Sequence, residues 1–222
     1  GKLKLLDTIV LRVHVPAGEA KRVRLLHRSS YNTFVGTTWL ARGAPMESVL
    51  PEAGGLTWRI AAAEPEWSAR IAMRVQRGRL LLALPSSTTR ITGLGATALR
   101  HNALGAVHAE LAGDWIRYEA EAATSADTSA PPGREDLAVP VAERATFEEV
   151  AAELGLKGLP AAEALRRVQA YFAGYSYSTW LERPAPEGTT ALADFVRNTR
   201  AGHCEYFAAA TTLLLRAAGI PA

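Results

Sequence analysis

A chain of 222 residues with 48% apolar and 21% charged side chains can bury one large core or two smaller ones, which excludes a disordered polymer. Its net charge of +3 hides a division at Arg100: residues 1–100 hold 15 Lys and Arg against 6 Asp and Glu, a balance of +9, and residues 101–222 hold 10 against 16, a balance of −6. No uncharged apolar run reaches the roughly 18 residues of a membrane span, and the single cysteine excludes an internal disulfide.

The first 120 or so residues read as strands. IVLRVHV at 9–15 alternates apolar with polar, KRVRLLHRSSY at 21–31 does so less regularly, and ARIAMRVQRGRLLLALP at 69–85 predicts two strands joined near Gln76 to Gly78. PAGE at 16–19, ARGAP at 41–45 and PEAGG at 51–55 mark turns, and a last strand pair is predicted at 105–110 and 115–121. Short strands of this kind must bury their apolar faces against one another, which predicts an antiparallel β-sandwich-like domain over residues 1–122. Its outward positions are filled mostly by arginine, which solvation alone accounts for and which also suits an anionic surface such as lipid headgroups or a polyanion. No recognition-helix, zinc-finger or RNP-like pattern accompanies that charge, so no nucleic-acid partner is expected.

Residues 123–142, AATSADTSAPPGREDLAVPV, combine small polar residues with prolines and read as a linker or long surface connection. Residues 143–222 then turn helical. Thr146 and Glu149 have capping-box spacing ahead of a short helix that Gly155 ends, and Pro160 opens a second helix with Leu165, Val168 and Phe172 on one face. A third helix carries Leu192, Phe195 and Val196, and a fourth begins near His203.

Cys204 falls in the first turn of that fourth helix, where backbone amides lack helical partners and the dipole is positive; both effects favour a thiolate nucleophile. Phe207, Ala208, Thr211 and Leu215 share its face, so one side of the sulfur is expected to look into the protein, with Gly202 leaving the approach open. The amide of Cys204 is placed to be one oxyanion donor. A small buried hydrophobe is the alternative reading of a lone cysteine among alanines and leucines. His203 points about 100° from its neighbour around the helix and is read as a packing or capping residue rather than the base. His14, His27, His101 and His108 sit at no metal-ligand spacing, so neither a metal nor a cofactor is implied.

Together with its flanks, LADFVRNTRAGHCEYFAAATTLLLRAAGIPA resembles the nucleophile segment of the bacterial transglutaminase-like superfamily. The resemblance rests on Gly202 to Ala208, then Leu214, Arg216, Gly219, Ile220 and Pro221, with Asp194 and Phe195 ahead of the cysteine and YFAGYSYSTWL at 171–181 as the preceding aromatic segment. The strand-rich half is similar to the domain before this core in membrane-anchored members. There IVLRV corresponds to a first strand, and YNTFVGTTW at 31–39 to a segment whose glycine often follows an acidic residue; Val35 occupies that place here.

The resemblance implies an α+β protein: the β-sandwich-like domain followed by the helical N-terminal part of a papain-like or transglutaminase core. It implies acyl transfer or hydrolysis at a peptide or side-chain amide through a thioester on Cys204, with Trp180 a second oxyanion donor and Tyr175 and Tyr177 lining a substrate groove. The family's histidine and aspartate lie downstream of the equivalent of Pro221, so the fragment is expected to be inactive alone, and the apolar side of its last helix, around Leu213 to Leu215, to be exposed and open to dimerisation. Protein or peptide substrates, flanking membrane helices and an extracytoplasmic location in a bacterial inner-membrane protein follow from the same likeness. The alternative is a non-catalytic envelope-binding module that works through the β domain.

Overall fold

Strict alternation over Trp67–Arg74 sends Trp67, Ala69, Ile71 and Met73 inward and leaves Ser68, Arg70, Ala72 and Arg74 on the outer side. This strand belongs to the first of two units in a computed structural model that describes residues 9–16, 23, 25–75, 78–124, 126, 129–179 and 185–222. Contacts divide the chain into Gly1–Tyr31 with Ala41–Ala130, and Asn32–Leu40 with Pro131–Ala222.

In chain order the strands begin with β1 (Leu11–His14), then a hairpin of β2 (Thr33–Val35) and β3 (Thr38–Leu40) that belongs to the second unit. The first unit resumes with β4 (Glu47–Val49), β5 (Trp58–Arg59), β6 (Trp67–Arg74), β7 (Arg79–Leu81), β8 (Thr88–Thr92), β9 (Ala96–His101), β10 (Val107–Leu111) and β11 (Trp115–Ala122). One antiparallel sheet runs β1-β6-β11-β8-β5 and the other β4-β9-β10-β7. Ile71, Met73, Ile91 and Ile116 from the first sheet share a buried cluster with Leu80, Leu99, Val107 and Leu111 from the second. Tyr118 is buried among them and donates its hydroxyl to the Ala83 carbonyl at 2.8 Å. This is the antiparallel sandwich that the alternation predicts.

Two details differ from that prediction. The strand pairs predicted at 69–85 and at 105–121 exist, but in each case the two strands enter different sheets: β6 with β7, and β10 with β11. Residues 21–31 form no strand among those described, only an isolated bridge of His27 to Leu84; 17–22 and 24, which include most of the PAGE turn, lie outside the described residues, as do Gln76 and Arg77. Leu25 is 86% accessible, whereas Leu26 packs against the core, so the period-2 alternation does not hold there.

The second unit contains a 3₁₀ turn at Arg134–Leu137 and helices α1 (Val141–Glu153), α2 (Ala161–Phe172), α3 (Ala191–Asp194) and α4 (Cys204–Ala217), with short strands β12 (Ser176–Tyr177) and β13 (Ala201–Gly202). Pro140 and Pro160 stand immediately before α1 and α2, where a missing N–H costs nothing. Thr146 therefore lies inside α1 rather than at its start; the proline at 140 sets the helix boundary and supersedes the capping-box spacing. Gly155, at φ 59°, ends α1 as expected, with the Leu156 amide donating back to Ala151. Residues 131–142, read from sequence as part of a linker, carry the 3₁₀ turn and the entry to α1.

The core of this unit gathers Phe147 and Val150 of α1, Ala164, Val168 and Phe172 of α2, and Ala210, Leu213 and Leu214 of α4, with Phe34 and Trp39 of the β2–β3 hairpin packed against it. Leu213 and Leu214 are wholly buried and Leu215 half-buried, so the broad apolar patch expected on α4 does not form; α1, α2 and the hairpin cover it.

Arg216 is buried on the same face of α4, 3% accessible. Its guanidinium donates to the carbonyls of Asn32 (2.9 Å), Ala138 (3.1 Å) and Ala222 (2.8 Å from Nε), lies 5.2 Å over the Trp39 ring, and reaches Asp136 at 3.9 Å. Burial lowers its pKa below the usual guanidinium value, with Asp136 acting in the opposite direction. One cation thus ties the hairpin, the 3₁₀ turn and the C-terminal end of α4 together, because the planar fork can serve several carbonyls at once. Replacing Arg216 by Ala strands those carbonyls and should cost about 3 kcal/mol, and Lys should recover only part of that loss. Urea unfolding followed by a probe in the second unit checks both.

A second buried tie is Glu143, 3% accessible, which accepts the Thr190 hydroxyl at 2.7 Å. Burial raises its carboxyl pKa above the usual range, and the Thr190 bond offsets this only in part. The protonated form is therefore favoured on folding, so its contribution is fully present below the unfolded pKa and is lost as pH rises through the raised folded value. Glu143→Gln keeps an acceptor for Thr190 without that loss. Its stability relative to wild type should climb as pH rises through this window and then level off, read by parallel denaturation series; a flat difference would contradict the assignment.

Candidate active site at the start of α4

The approach to Cys204 is built from α3 onward. Thr190 caps α3 by accepting from the Ala193 amide at 3.0 Å, and the chain continues into a π-helical turn, Phe195–Thr199. Buried Asp194 holds that turn, accepting from Asn198 Nδ2 at 2.9 Å and from the Thr199 hydroxyl. Both Tyr171 and Tyr175 donate their hydroxyls to the Val196 carbonyl within it. A π turn is uncommon and is frequent at functional sites. Arg200 ends it at φ 48°, a left-handed conformation that a non-glycine residue adopts only when its surroundings enforce it.

From Arg200 the chain runs straight into β13, which pairs in parallel with β12: the Ser176 amide donates to Arg200 O and the Ser178 amide to Gly202 O, both at 2.9 Å. That register sets Tyr177 opposite Gly202. His203 is the N-cap, in extended conformation, and Cys204 is the first residue of α4. The amides of Tyr206 and Phe207 return to the His203 carbonyl, while helix geometry leaves the amides of Cys204 and Glu205 without intrahelical acceptors.

Gly202 is buried between the Phe195 ring and Tyr206. A Cβ there would sit 3.0 Å from Tyr206 Cβ and 3.1 Å from two Phe195 ring carbons. The sequence reading gave this glycine the task of clearing an approach to sulfur; its observed task is to let the helix start close down on Phe195. Phe195 in turn contacts Phe172, Tyr175, Tyr206 and Phe207, with ring centroids 5.1–5.8 Å apart. Sequence reasoning placed Phe195 and Asp194 near the cysteine only as motif positions. The role of Phe195 as the platform under the helix start could have been inferred from the glycine two residues before the cysteine, the residue type that close approach demands.

Cys204 is exposed, and no described residue hydrogen-bonds its sulfur. Its helix face, with Ala208 exposed and Thr211 and Leu215 half-buried, is the open side of α4 rather than the inward one expected; the buried side is that of Ala209, Ala210, Leu213 and Leu214. The buried-hydrophobe reading of this cysteine is thereby set aside. His203 packs edge-on against Tyr206 at 5.0 Å, makes no side-chain cap bond, and lies 3.9 Å from the exposed Glu205 carboxylate. Burial, then the Asp194 and Glu205 carboxylates, raise the Tyr206 hydroxyl pKa.

The three aromatic candidates separate. The Tyr175 hydroxyl is committed to Val196, its ring lies under Arg200 at 5.7 Å, and burial with the Tyr171 contact raises its pKa, so its position is that of a support. Tyr177 is 66% accessible beside Gly202 and is free to meet a ligand. Trp180 lies outside the described residues. Among the described residues no cluster of His, Cys, Asp and Glu could hold a metal ion, and no helix is long and apolar enough to cross a membrane.

Residues 148–222, which include Cys204, match the family described as the Transglutaminase-like superfamily. Two solved structures extend the likeness across both units. One is the periplasmic domain of TgpA from Pseudomonas aeruginosa, at 20% identity and a TM-score of 0.68, covering 98% of this chain and 73% of that one. The other is the same domain bound to ethylmercury, at 21% identity and a TM-score of 0.64, covering 96% and 73%. At these identities the likeness is one of fold. No curated protein sequence matches the chain.

If the closeness of Phe195 and Tyr206 fixes the helix start, Gly202→Ala should cost about 1–3 kcal/mol through overpacking and change the rate at which iodoacetamide modifies Cys204. Gly174→Ala, at a site with open space around it, is the control and should be near neutral. Equal effects of the two substitutions in chemical denaturation would contradict the packing account.

Proposed function

We propose that this chain supplies the nucleophile of a transglutaminase-like cysteine enzyme acting on peptide or side-chain amides. The observation that carries the reading is the exposed Cys204 at the first position of α4, its sulfur without a hydrogen-bond partner among the described residues, with two amides of the first turn lacking intrahelical acceptors beside it. In the proposed reaction the Cys204 sulfur bonds to the amide carbonyl carbon and the carbonyl oxygen becomes an oxyanion, for which the Cys204 amide is the nearest built-in donor. Collapse of that intermediate breaks the C–N bond; the amine leaves with a proton, and a thioester remains. Water then gives the acid, or an incoming amine gives a new amide, and the thiol is regenerated.

Proton transfer in both halves requires a positioned imidazole. His203 does not meet that need, since its ring packs on Tyr206 and no described side chain hydrogen-bonds the sulfur. In this reading the base and its orienting aspartate come from sequence beyond Ala222. Tyr177 forms one wall of the acyl-donor groove. The substrate is protein or peptide, and the reaction takes place outside the cytoplasmic membrane, a reading supported by the fold shared with a periplasmic domain. Ethylmercury, the ligand in one of the solved relatives, seeks thiols and should bind Cys204, the chain's single cysteine.

The test uses protein extended past Ala222 and a glutamine-containing peptide, with and without a primary amine. Ammonia release or amine incorporation is expected, with Cys204→Ala reducing turnover by at least about 10³-fold and Tyr177→Ala acting mainly on KM. Turnover that survives Cys204→Ala, or none from a folded extended protein containing the downstream histidine, would overturn the reading.

A further inference from the structure

The outer face of the five-stranded sheet carries charge that no described residue neutralises. Register across β1, β6, β11 and β8 sets Val10 beside Arg74 and Trp115 in one row, Arg12, Ala72 and Arg117 in the next, and His14, Arg70, Glu119 and Thr92 in a third. Adjacent strands lie about 4.8 Å apart, so Arg12 and Arg117 rise on either side of small Ala72. The result is an open cleft of about 820 Å³ with Ala72 in its floor and Arg12, Arg70 and Arg117 around it.

Arg12, Arg70, Arg74 and Arg117 have no ion-pair partner among the described residues. Elsewhere in the same unit arginines are matched: Arg90 with Glu52 and Glu121, Arg59 with Glu52 and Glu64, and Arg100 with Glu110. Glu119, the carboxylate that lines the cleft, accepts from Ser68. Arg59 and Arg90 belong to β5 and β8 of the same five-stranded sheet, so the bare arginines on β1, β6 and β11 do not follow from composition alone.

At the Arg74 end of this face the surface turns apolar. Trp115 is 47% accessible and Val10 61%. A soluble polyanion would satisfy the guanidiniums but gives exposed aliphatic side chains no reason to border them. The headgroup region of a bilayer accounts for both, because guanidiniums bind phosphate while tryptophan and aliphatic side chains gain from entering the interface. We propose that this sheet face docks on an anionic lipid bilayer, with Arg12, Arg70, Arg74 and Arg117 on lipid phosphates and Trp115 and Val10 in the headgroup region.

Flotation of the whole chain with vesicles tests this. Binding is expected to vesicles of phosphatidylcholine mixed with anionic phosphatidylglycerol, and not to phosphatidylcholine alone. It should weaken about fivefold for each arginine changed to Gln, be abolished in R12E/R70E/R117E, and weaken in Trp115→Ser even though the charge is unchanged. Circular dichroism and the iodoacetamide reactivity of Cys204 report that these surface variants remain folded. Equal binding to both vesicle types, binding that survives the triple reversal in a folded protein, or full competition by soluble heparin together with indifference to Trp115→Ser would overturn the proposal.

Discussion

The helix that presents Cys204 can start where it does because Gly202 has no side chain. With nothing but hydrogen at that Cα, the backbone comes closer to the Phe195 ring and the Tyr206 side chain than a Cβ would ordinarily allow, and the three together set the first turn of α4. Everything upstream serves this contact. The π turn brings Phe195 to the right depth, Asp194 ties that turn to Asn198 and Thr199, and the left-handed Arg200 redirects the chain into β13. Phe172, Tyr175 and Phe207 then close around Phe195 as an aromatic cluster. Cys204, the first residue of α4, is thus exposed while its backbone position is set by buried rings rather than by contacts of its own.

The far end of α4 is held by a different force. Arg216 is a charge taken out of water and repaid by carbonyls from three segments far apart in sequence. Such a group specifies which segments meet more than it adds to net stability, because its desolvation cancels much of what its hydrogen bonds return. It also explains why a hairpin at residues 32–40, embedded in strand-forming sequence, belongs to the helical unit: the Asn32 carbonyl and the Trp39 ring are among the groups that receive the guanidinium. One helix therefore has an aromatic seat at the site and a polar anchor at the opposite end.

Much of this was legible in the residues. Alternation along β6 and β11 gave the sandwich, Pro160 and Gly155 marked helix boundaries, and the run from Gly202 to Ala208 located the candidate nucleophile and its likeness to the transglutaminase-like superfamily. The errors have physical causes. Thr146 has the right spacing for a cap, but a proline six residues earlier already opens the helix. The inward face assigned to Cys204 assumed that apolar neighbours share the buried side, whereas Ala208 and Thr211 are small enough to sit on an open one. The destination of the 32–40 hairpin depends on a buried arginine 184 residues away from Asn32, a pairing to which no local pattern points.

The central claim is that Cys204 is held ready for acyl attack by the folded protein rather than merely present in it. Brief exposure of the native chain to a small activated ester, followed by intact-mass measurement and peptide mapping, tests this most directly. A single acyl group on Cys204, formed faster than in the same protein unfolded in urea at equal pH, is the predicted result. Acylation that appears only after unfolding, or that falls elsewhere on the native chain, would contradict it.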